Sequence, residues 1–477
     1  MDLSLERETG PLTARIAQAL TKRIAAGALG AGQKLPSVRR LADQLGVSPF
    51  TVVSAYDRLV AEGLVTARAK SGFFVAPRGT ATSQPLALDP LPSRRTGINP
   101  IWMMRQSLTA GPGQLTPGCG WLPPDWLPDD SIRAALRALA RQDPKNTGRE
   151  LVEYGVPLGY RPLRDLLARR LNELEIPAEP DRLLLTDSAS QAIDLVCRYL
   201  VAPGDAVLVD DPGYFNFHAA IRAQRGTCIS VPMTPQGPDL DALDRLAATH
   251  RPKLYLTNAG LQNPTGARMG LAVAHRLLGL AQHHDFRILE DDIFRDFEAQ
   301  PGLRLAALDG LNRVIHLGSF SKTLSAATRI GFLAADAATL TDLADLKLAI
   351  SFGNNELSAR IIHRLLSDGS YRKHVANLRD RLARCRFQVS KRLVNLGLTP
   401  WLDHAADPGE GLFLWMALPS GKKAEALAEA ARDMGVILAP GKVFSAGNDA
   451  RWRSHLRFNV AQSLDPRLIS VLKTVLA

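Results

Sequence analysis

The sequence predicts an α/β protein in two parts: a small helical head with a pair of short strands, and a large body in which helices alternate with strands. Three observations carry this. Between residues 11 and 63, apolar residues recur at helical spacing in three runs, each followed by a glycine stop. From residue 150 onward, short apolar runs alternate with helical stretches, the pattern of a mixed sheet covered by helices. Between the two, residues 77–112 turn to Pro, Ser, Thr, Gly and Arg, and neither period survives. The expected domains are a head over 1–76, a linker over 77–112 and a body over 113–477.

With 477 residues, 46% apolar and 22% charged, the chain has the composition of a globular protein with ample core. No apolar run reaches membrane-spanning length, and the acidic start is no signal peptide, so a cytoplasmic protein with no membrane partner is expected. Cys119, Cys197, Cys228 and Cys385 show neither zinc nor disulfide spacing, and no metal site is expected. The net charge of +11 favours a polyanionic partner.

In the head, Leu12, Ile16, Leu20 and Ile24 mark a first helix. Ser37 caps a second, whose apolar face is Val38, Leu41, Ala42 and Leu45, and Gly46 ends it. Ser48-Pro49 opens a third, with proline at the first helical position. Its apolar residues are Val52, Val53, Tyr56, Leu59 and Val60, and Gly63 stops it. Helix, short glycine turn, helix is the helix-turn-helix pattern. Residues 64–75 then read as two short strands joined by a basic turn, a wing. Nine cations against three acids between residues 15 and 70 fit a DNA-binding face, with the last helix in the major groove and wing cations on phosphate. A protein-docking module with a solvated basic face is the alternative.

Leu35-Pro36-Ser37-Val38-Arg39-Arg40-Leu41-Ala42, Gly46-Val47-Ser48, Thr51-Val52, Glu62-Gly63-Leu64 and Ser71-Gly72 closely resemble the GntR-type winged helix. The resemblance implies that Arg39, Ser48, Thr51 and the wing tip around Lys70 to Gly72 contact DNA. Pro49-Phe50 replaces the Arg-Asn often found after the capping serine, so base readout differs, and Phe50 is positioned to meet a thymine methyl.

The chemistry of the body centres on Val314 to Gly331. An apolar strand breaks at Gly318 into a hydroxyl-rich turn that presents Lys322, with no acidic residue nearby. A lysine without a counter-ion among apolar neighbours has a depressed pKa, as an imine-forming amine needs. Ser319, Ser321 and Arg329 suit a phosphate dianion beside that amine, and together they suggest a Schiff base to pyridoxal 5'-phosphate (PLP); an exposed loop lysine before a Ser/Thr-rich turn is the alternative. Strands are expected at 183–186, 206–209, 254–257, 287–290 and 314–317, several of which end in polar residues, where open α/β sheets place ligand groups. Asp187 to Gln191 opens a helix whose N-terminus forms an anion wall. Tyr214 follows another strand and offers a ring to a flat heterocycle. In Gln262-Asn263-Pro264-Thr265-Gly266 an amide is held in a rigid turn, facing a phenolic oxygen. Glu290-Asp291-Asp292 supplies either a carboxylate for a pyridine nitrogen or, alternatively, an acidic pair for a metal. Residues 356–398 read as long helices with a solvated arginine-rich face, and 411–416 as a core strand of a smaller subdomain.

The order anion helix, aromatic, Asn-Pro-Thr-Gly, Asp, Lys, Arg resembles the fold-type I PLP proteins of the aspartate aminotransferase superfamily from about residue 113 to 477. That resemblance implies that Lys322 carries the cofactor and Asp291 pairs with its pyridine nitrogen. It further implies that Asn263 meets the phenolic oxygen, that Tyr214 stacks on the ring, and that Ala189, Ser190, Ser319 and Arg329 hold phosphate. Tyr154 then reaches the neighbouring subunit's phosphate, and Arg457 grips an effector carboxylate. Two departures stand out. Ile293 and Phe294 occupy the place where relatives carry a tyrosine that donates to the phenolic oxygen, which raises the Schiff-base pKa. Ser188 replaces a glycine of the anion segment.

A GntR-type head fused to an aminotransferase-like body is similar to the MocR subfamily of transcription regulators. The resemblance implies a head-to-tail homodimer that binds double-stranded operator DNA and senses PLP, or a small amine or amino-acid effector, at Lys322. Its aminotransferase-like domain would serve for sensing rather than turnover. The alternative is an active class I aminotransferase with a DNA-binding appendage.

Overall fold

A computed structural model of the chain describes residues 10–69, 71–77, 100–111, 113–141, 154–402, 409–447 and 450–477. Two compact units result, Met1–Thr96 and Gly97–Ala477.

The first unit holds α1 (Leu12–Ala25), α2 (Val38–Leu45), α3 (Pro49–Ala61), β1 (Val65–Arg68) and β2 (Gly72–Val75). Both expected caps form. Ser37 accepts from the Arg40 amide at 3.3 Å and Ser48 from the Thr51 amide at 3.1 Å, so each helix start has a side-chain acceptor for an otherwise orphaned N–H. Gly46 sits in the left-handed region at φ 62°, which lets α2 stop and the chain turn within two residues. Ile16, Leu20, Leu41, Val52, Tyr56 and Leu59 are fully buried. Val60 is exposed and Val53 half-buried, contrary to the expectation that both are buried with the rest of the α3 face; Leu12, at the start of α1, is exposed. The α3 stripe runs through 52, 55, 56 and 59, so positions 53 and 60 fall at its margin. The wing is an antiparallel pair with Val65 opposite Val75 and Arg68 opposite Gly72.

The segment expected to be linker as far as residue 112 contains a helix, Pro100–Leu108. Its Met103 is 2% exposed within a core cluster of the second unit, so the body begins before this helix. A helix this short, set beside a Pro- and Gly-rich stretch, shows too little periodicity to be read, although Trp102, Met103 and Met104 pack on the core.

The second unit is built on an eight-stranded sheet of order β3-β10-β9-β8-β7-β4-β5-β6. All five expected strands are present: β3 (Leu183–Thr186), β4 (Ala206–Asp211), β7 (Leu254–Thr257), β8 (Arg287–Asp291) and β9 (Val314–Ser319). The remaining three are β5 (Thr227–Thr234), β6 (Gly237–Pro238) and β10 (Gly331–Ala334). Neighbours from β5 through β9 run parallel, whereas β10 is antiparallel to both β3 and β9. The carboxyl ends of β3, β4, β7, β8 and β9 therefore open on one edge, and the start of β10 joins them. A second sheet of β11 (Thr399–Pro400), β12 (Phe413–Ala417), β13 (Ala439–Pro440) and β14 (His455–Asn459) has the order β11-β12-β14-β13.

Helices Glu356–Ser367 and Ser370–Val394 occupy the expected helical stretch, but its arginines do not form one solvated face. Arg386 is buried and donates to the Phe413 carbonyl at 2.7 Å. Among the described residues, no helix is long and apolar enough to cross a membrane. The four cysteines are free.

Candidate functional site

Strand alternation selects one carboxylate of Glu290-Asp291-Asp292 for the strand-end edge. Glu290 turns away and accepts from the amides of Leu305 and Ala306 at 2.7 and 3.0 Å. Asp292 binds the Arg304 guanidinium at 2.7 Å, and Arg304 also binds Glu298. These partners commit both outer carboxylates, which disposes of the metal-pair reading. Asp291 faces the other way. Its Oδ1 accepts from the Ile293 amide at 3.2 Å, while its buried Oδ2 has no hydrogen-bond partner among the described residues. Burial pushes its carboxyl up to about 7.

The β9–β10 hairpin carries the lysine. Ser319 stands opposite Gly331 in register, and the Ser319 hydroxyl donates to the Ile330 carbonyl at 3.0 Å, closing the loop at its base. Lys322 Nζ donates to the Gly120 carbonyl at 2.8 Å and lies 6.0 Å from the Phe294 ring centre. Burial, with the Arg457 charge second, depresses its pKa to about 8. Arg329 has φ 50°, uncommon for a residue other than glycine and found where function holds the backbone.

A cavity of about 370 Å³ opens over this hairpin. Of the residues singled out from sequence, Ala189, Ser190, Tyr214, Ser319, Lys322 and Arg329 line it. Ser188 Oγ is spent capping the helix Ala189–Leu200 through the Gln191 amide at 3.0 Å, so the anion wall consists of backbone N–H groups and Ser190. A Cβ on Gly331 would lie 2.8 Å from the Ala189 nitrogen, so only glycine lets the hairpin close against that helix start. Asn263, Asp291 and Arg457 stand behind this lining. Arg457 is 1% exposed, donates to Asn263 Oδ1 at 2.7 Å and to the Gly118 carbonyl at 2.6 Å, and lies over the rings of Phe413 and Phe444. Burial lowers its pKa to about 10.

Tyr154 is not in this cavity. It is 83% exposed and packs on Phe352, ring centres 4.9 Å apart. Sequence reasoning also missed Ser107, Leu108 and Trp121, which line the cavity, and the Gly120 carbonyl. The two glycines flanking Cys119 were the available signal: a Cβ on Gly118 would lie 2.5 Å from the Ala439 nitrogen. In the head, Arg39, Ser48 and Phe50 are exposed, and Ser48 and Thr51 share a hydroxyl contact at 2.8 Å. Gly72, at φ 99°, begins β2, and Lys70 lies outside the described residues.

Residues 126–473 match the family of class I and II aminotransferases, and residues 12–75 match the gntR family of bacterial regulatory proteins. The HTH-type transcriptional regulator TauR of Rhodobacter capsulatus is 30% identical over 91% of this chain and 90% of its own length. The chain belongs to the MocR-type regulators. This MocR-type chain is also similar to the Escherichia coli HTH-type regulator YdcR, 28% identical over 94% of each. Its body is similar to the Thermus thermophilus α-aminoadipate aminotransferase LysN, solved with N-(5'-phosphopyridoxyl)-L-leucine: 29% identity, TM-score 0.68, 78% of this chain and 94% of that one.

PLP is the cofactor that this MocR-type body indicates, and the residues fit it. A glycine-walled helix start and a lysine of lowered pKa border one cavity, and Asp291, with an orphaned buried carboxylate oxygen among the described residues, stands behind its lining. When bound, PLP supplies an aldehyde for amines and a ring that withdraws electrons. Since only a neutral amine attacks an aldehyde, capture of PLP by the empty protein should speed up roughly tenfold per pH unit until about pH 8, then level off. Stopped-flow absorbance from pH 6 to 10 measures this; a rise continuing to pH 10 would contradict the depressed amine.

Proposed function

We propose that Lys322 holds PLP covalently, and that an amine bearing a carboxylate, such as an amino acid, enters the same cavity and changes operator binding by the winged head. The observation that carries this reading is the buried Arg457, which has no acidic partner among its hydrogen bonds beside the depressed Lys322 amine. A buried guanidinium without an anion is costly, so the geometry favours an anionic ligand there. Asp291 keeps the ring nitrogen protonated, Asn263 faces the phenolic oxygen, and Tyr214 covers the ring. Ala189, Ser190, Ser319 and Arg329 take the phosphate. The effector acts only through a difference in affinity for two arrangements of the regulator. Operator affinity of the full-length protein, measured by fluorescence anisotropy with and without PLP and then with a panel of amino acids, tests this. An affinity indifferent to all of them would contradict it.

In the head, Arg39 on phosphate or a guanine edge, Phe50 on a thymine methyl, and the wing from Lys70 to Gly72 form the DNA-binding surface. Arg39→Ala should weaken operator binding and, if the contact is to phosphate, lower the slope of log affinity against log salt by about one. An unchanged affinity would remove Arg39 from the interface.

A homodimer completes the site. Tyr154, Val156, Ile350, Phe352 and Leu357 are exposed apolar residues of neighbouring segments beside the anion helix, where Asp187 accepts from the Asn355 amide at 3.1 Å. A second copy on this face, arranged head-to-tail, would bring its Tyr154 toward the phosphate. Sedimentation showing only monomers at micromolar concentration contradicts the dimer.

Turnover as an aminotransferase is the second reading, favoured by the presence of Lys322, Asp291 and Arg457 together. Against it, Ile293 lines the cavity and Phe294 lies beside Lys322, so no phenol donates from that strand end.

A further inference from the structure

A second cavity, of about 150 Å³, lies among the guanidiniums of Arg170, Arg295 and Arg379, contributed by three separate elements. They gather around one carboxylate. Arg170 Nη2 is 3.2 Å from Asp296 Oδ1 and Arg295 Nε is 3.6 Å from it, while Arg379 Nε donates to the Asp296 carbonyl at 2.9 Å. Among the described residues, these are the only polar partners of the three side chains. Each guanidinium carries five N–H donors, so most of their capacity remains unspent beside the cavity. Arg170 lies over the Tyr371 ring, 5.0 Å from its centre, a cation–π contact that helps hold its fork in place. Glu298 borders the cavity too, but it is bound to Arg304 and to the Gly302 amide; Glu173 stands exposed at the rim. Three arginines and three carboxylates line the cavity, but with Glu298 engaged by Arg304 and Glu173 exposed, Asp296 is the carboxylate that the three guanidiniums share. Burial alone would raise the Asp296 carboxyl, yet the surrounding arginines and Tyr371 hold it below the usual range.

This cluster is wired to the cofactor lysine. The Tyr371 hydroxyl donates to Asp296 Oδ2, and the Thr323 hydroxyl contacts the Tyr371 oxygen at 2.7 Å. His374, one turn on from Tyr371, contacts the Thr323 carbonyl at 2.8 Å. Thr323 directly follows Lys322. Asp296 itself ends the segment that begins at Asp291 and passes through Ile293 in the cofactor cavity. An anion that pulls on Arg170 and Arg295 thus alters the grip of Asp296 on Tyr371, and of Tyr371 on the lysine turn.

We propose that the cavity between Arg170, Arg295 and Arg379 binds a small phosphate-type anion, free phosphate or a phosphate monoester, and that occupancy stiffens the Lys322 turn through Asp296, Tyr371 and Thr323. Only the second clause rests on Lys322 being the functional lysine. Fork-like guanidiniums suit the tetrahedral oxygens of phosphate by paired hydrogen bonds. Nothing else in the proposed PLP chemistry uses them.

The test uses full-length, PLP-loaded protein, so that the cofactor's own phosphate cradle is filled. Titration calorimetry with inorganic phosphate, glycerol phosphate and acetate should show saturable binding of one or both phosphates and weaker binding of acetate. Binding should fall at least tenfold in Arg295→Leu and in Arg379→Gln, with the visible PLP band kept as the sign of a folded body. Hydrogen exchange of the peptide spanning 320–325 should slow when phosphate is added to the native protein, and not in Tyr371→Phe. Phosphate binding that is absent, or unchanged in both arginine variants, overturns the site. Binding without any change in exchange overturns the coupling. Phosphate against glycerol phosphate decides which source the site prefers. Loss of the PLP adduct at position 322 would refute the cofactor reading while leaving calorimetry at the arginine site interpretable through the arginine variants.

Discussion

Lys322→Ala should abolish the visible absorbance of the PLP-loaded protein and all response of operator affinity to PLP, the largest effect expected of any single substitution. The lysine is the only amine placed at the cavity by β9 and its hairpin, and its Nζ is oriented by the Gly120 carbonyl at 2.8 Å. Covalent capture needs a neutral nucleophile, and burial supplies it by lowering the pKa to about 8. Alanine removes the nucleophile and a buried charge together, so the fold should tolerate it. Operator affinity without PLP should stay within about twofold of the native protein, because the change lies in a separate compact unit from the head. Equilibrium anisotropy titrations on one operator fragment compare the four states. A variant that still responds to PLP would show that the signal does not pass through this amine.

Arg457→Leu should weaken binding of a carboxylate-bearing effector by about 3 kcal/mol, roughly a hundredfold, and leave an amine lacking a carboxylate nearly unaffected. The guanidinium is fixed by Asn263, by the Gly118 carbonyl and by two aromatic faces, so little ordering entropy is left to lose on binding. Its buried Nε has no partner. The substitution also leaves Asn263 Oδ1 and the Gly118 carbonyl short of a donor, which lowers stability and frees the Asn263 amide to move. Comparing an amino acid with its decarboxylated amine separates the two effects. Equal losses for both ligands would reduce Arg457 to a positioning residue for Asn263.

How much of this was legible beforehand depended on whether the signal was local. Ser37, Gly46, Ser48 and Pro49 fix the head because capping is read within four residues. Five strands announced themselves as short, mostly apolar runs, being buried on both faces. The half-buried β5 gave no such run, and the short run of β10 is recognised as a strand only by its pairing with β3 and β9. Lys322, Ser319 and Arg329 were readable as a set because one hairpin carries all three. Which carboxylate of Glu290-Asp291-Asp292 faces the cavity was left open by the residues alone, and strand alternation with the pull of Arg304 and Leu305 decides it. The helix Pro100–Leu108 and the Gly118 to Trp121 segment reach the cavity only through tertiary packing against β13 and the small sheet. The arginine cavity is the extreme case: residues 170, 295 and 379 share no local pattern, and only the folded chain unites them.

We propose that one amine, Lys322, takes PLP covalently beside a carboxylate oxygen and a guanidinium that have no ionic partner among the described residues. Borohydride reduction of the PLP-treated full-length protein, followed by peptide mass spectrometry, tests it most directly. The expected result is one phosphopyridoxyl adduct, on Lys322, at near-stoichiometric yield, with the visible band lost on reduction. An unmodified Lys322 peptide, or label spread over surface lysines, would contradict the account.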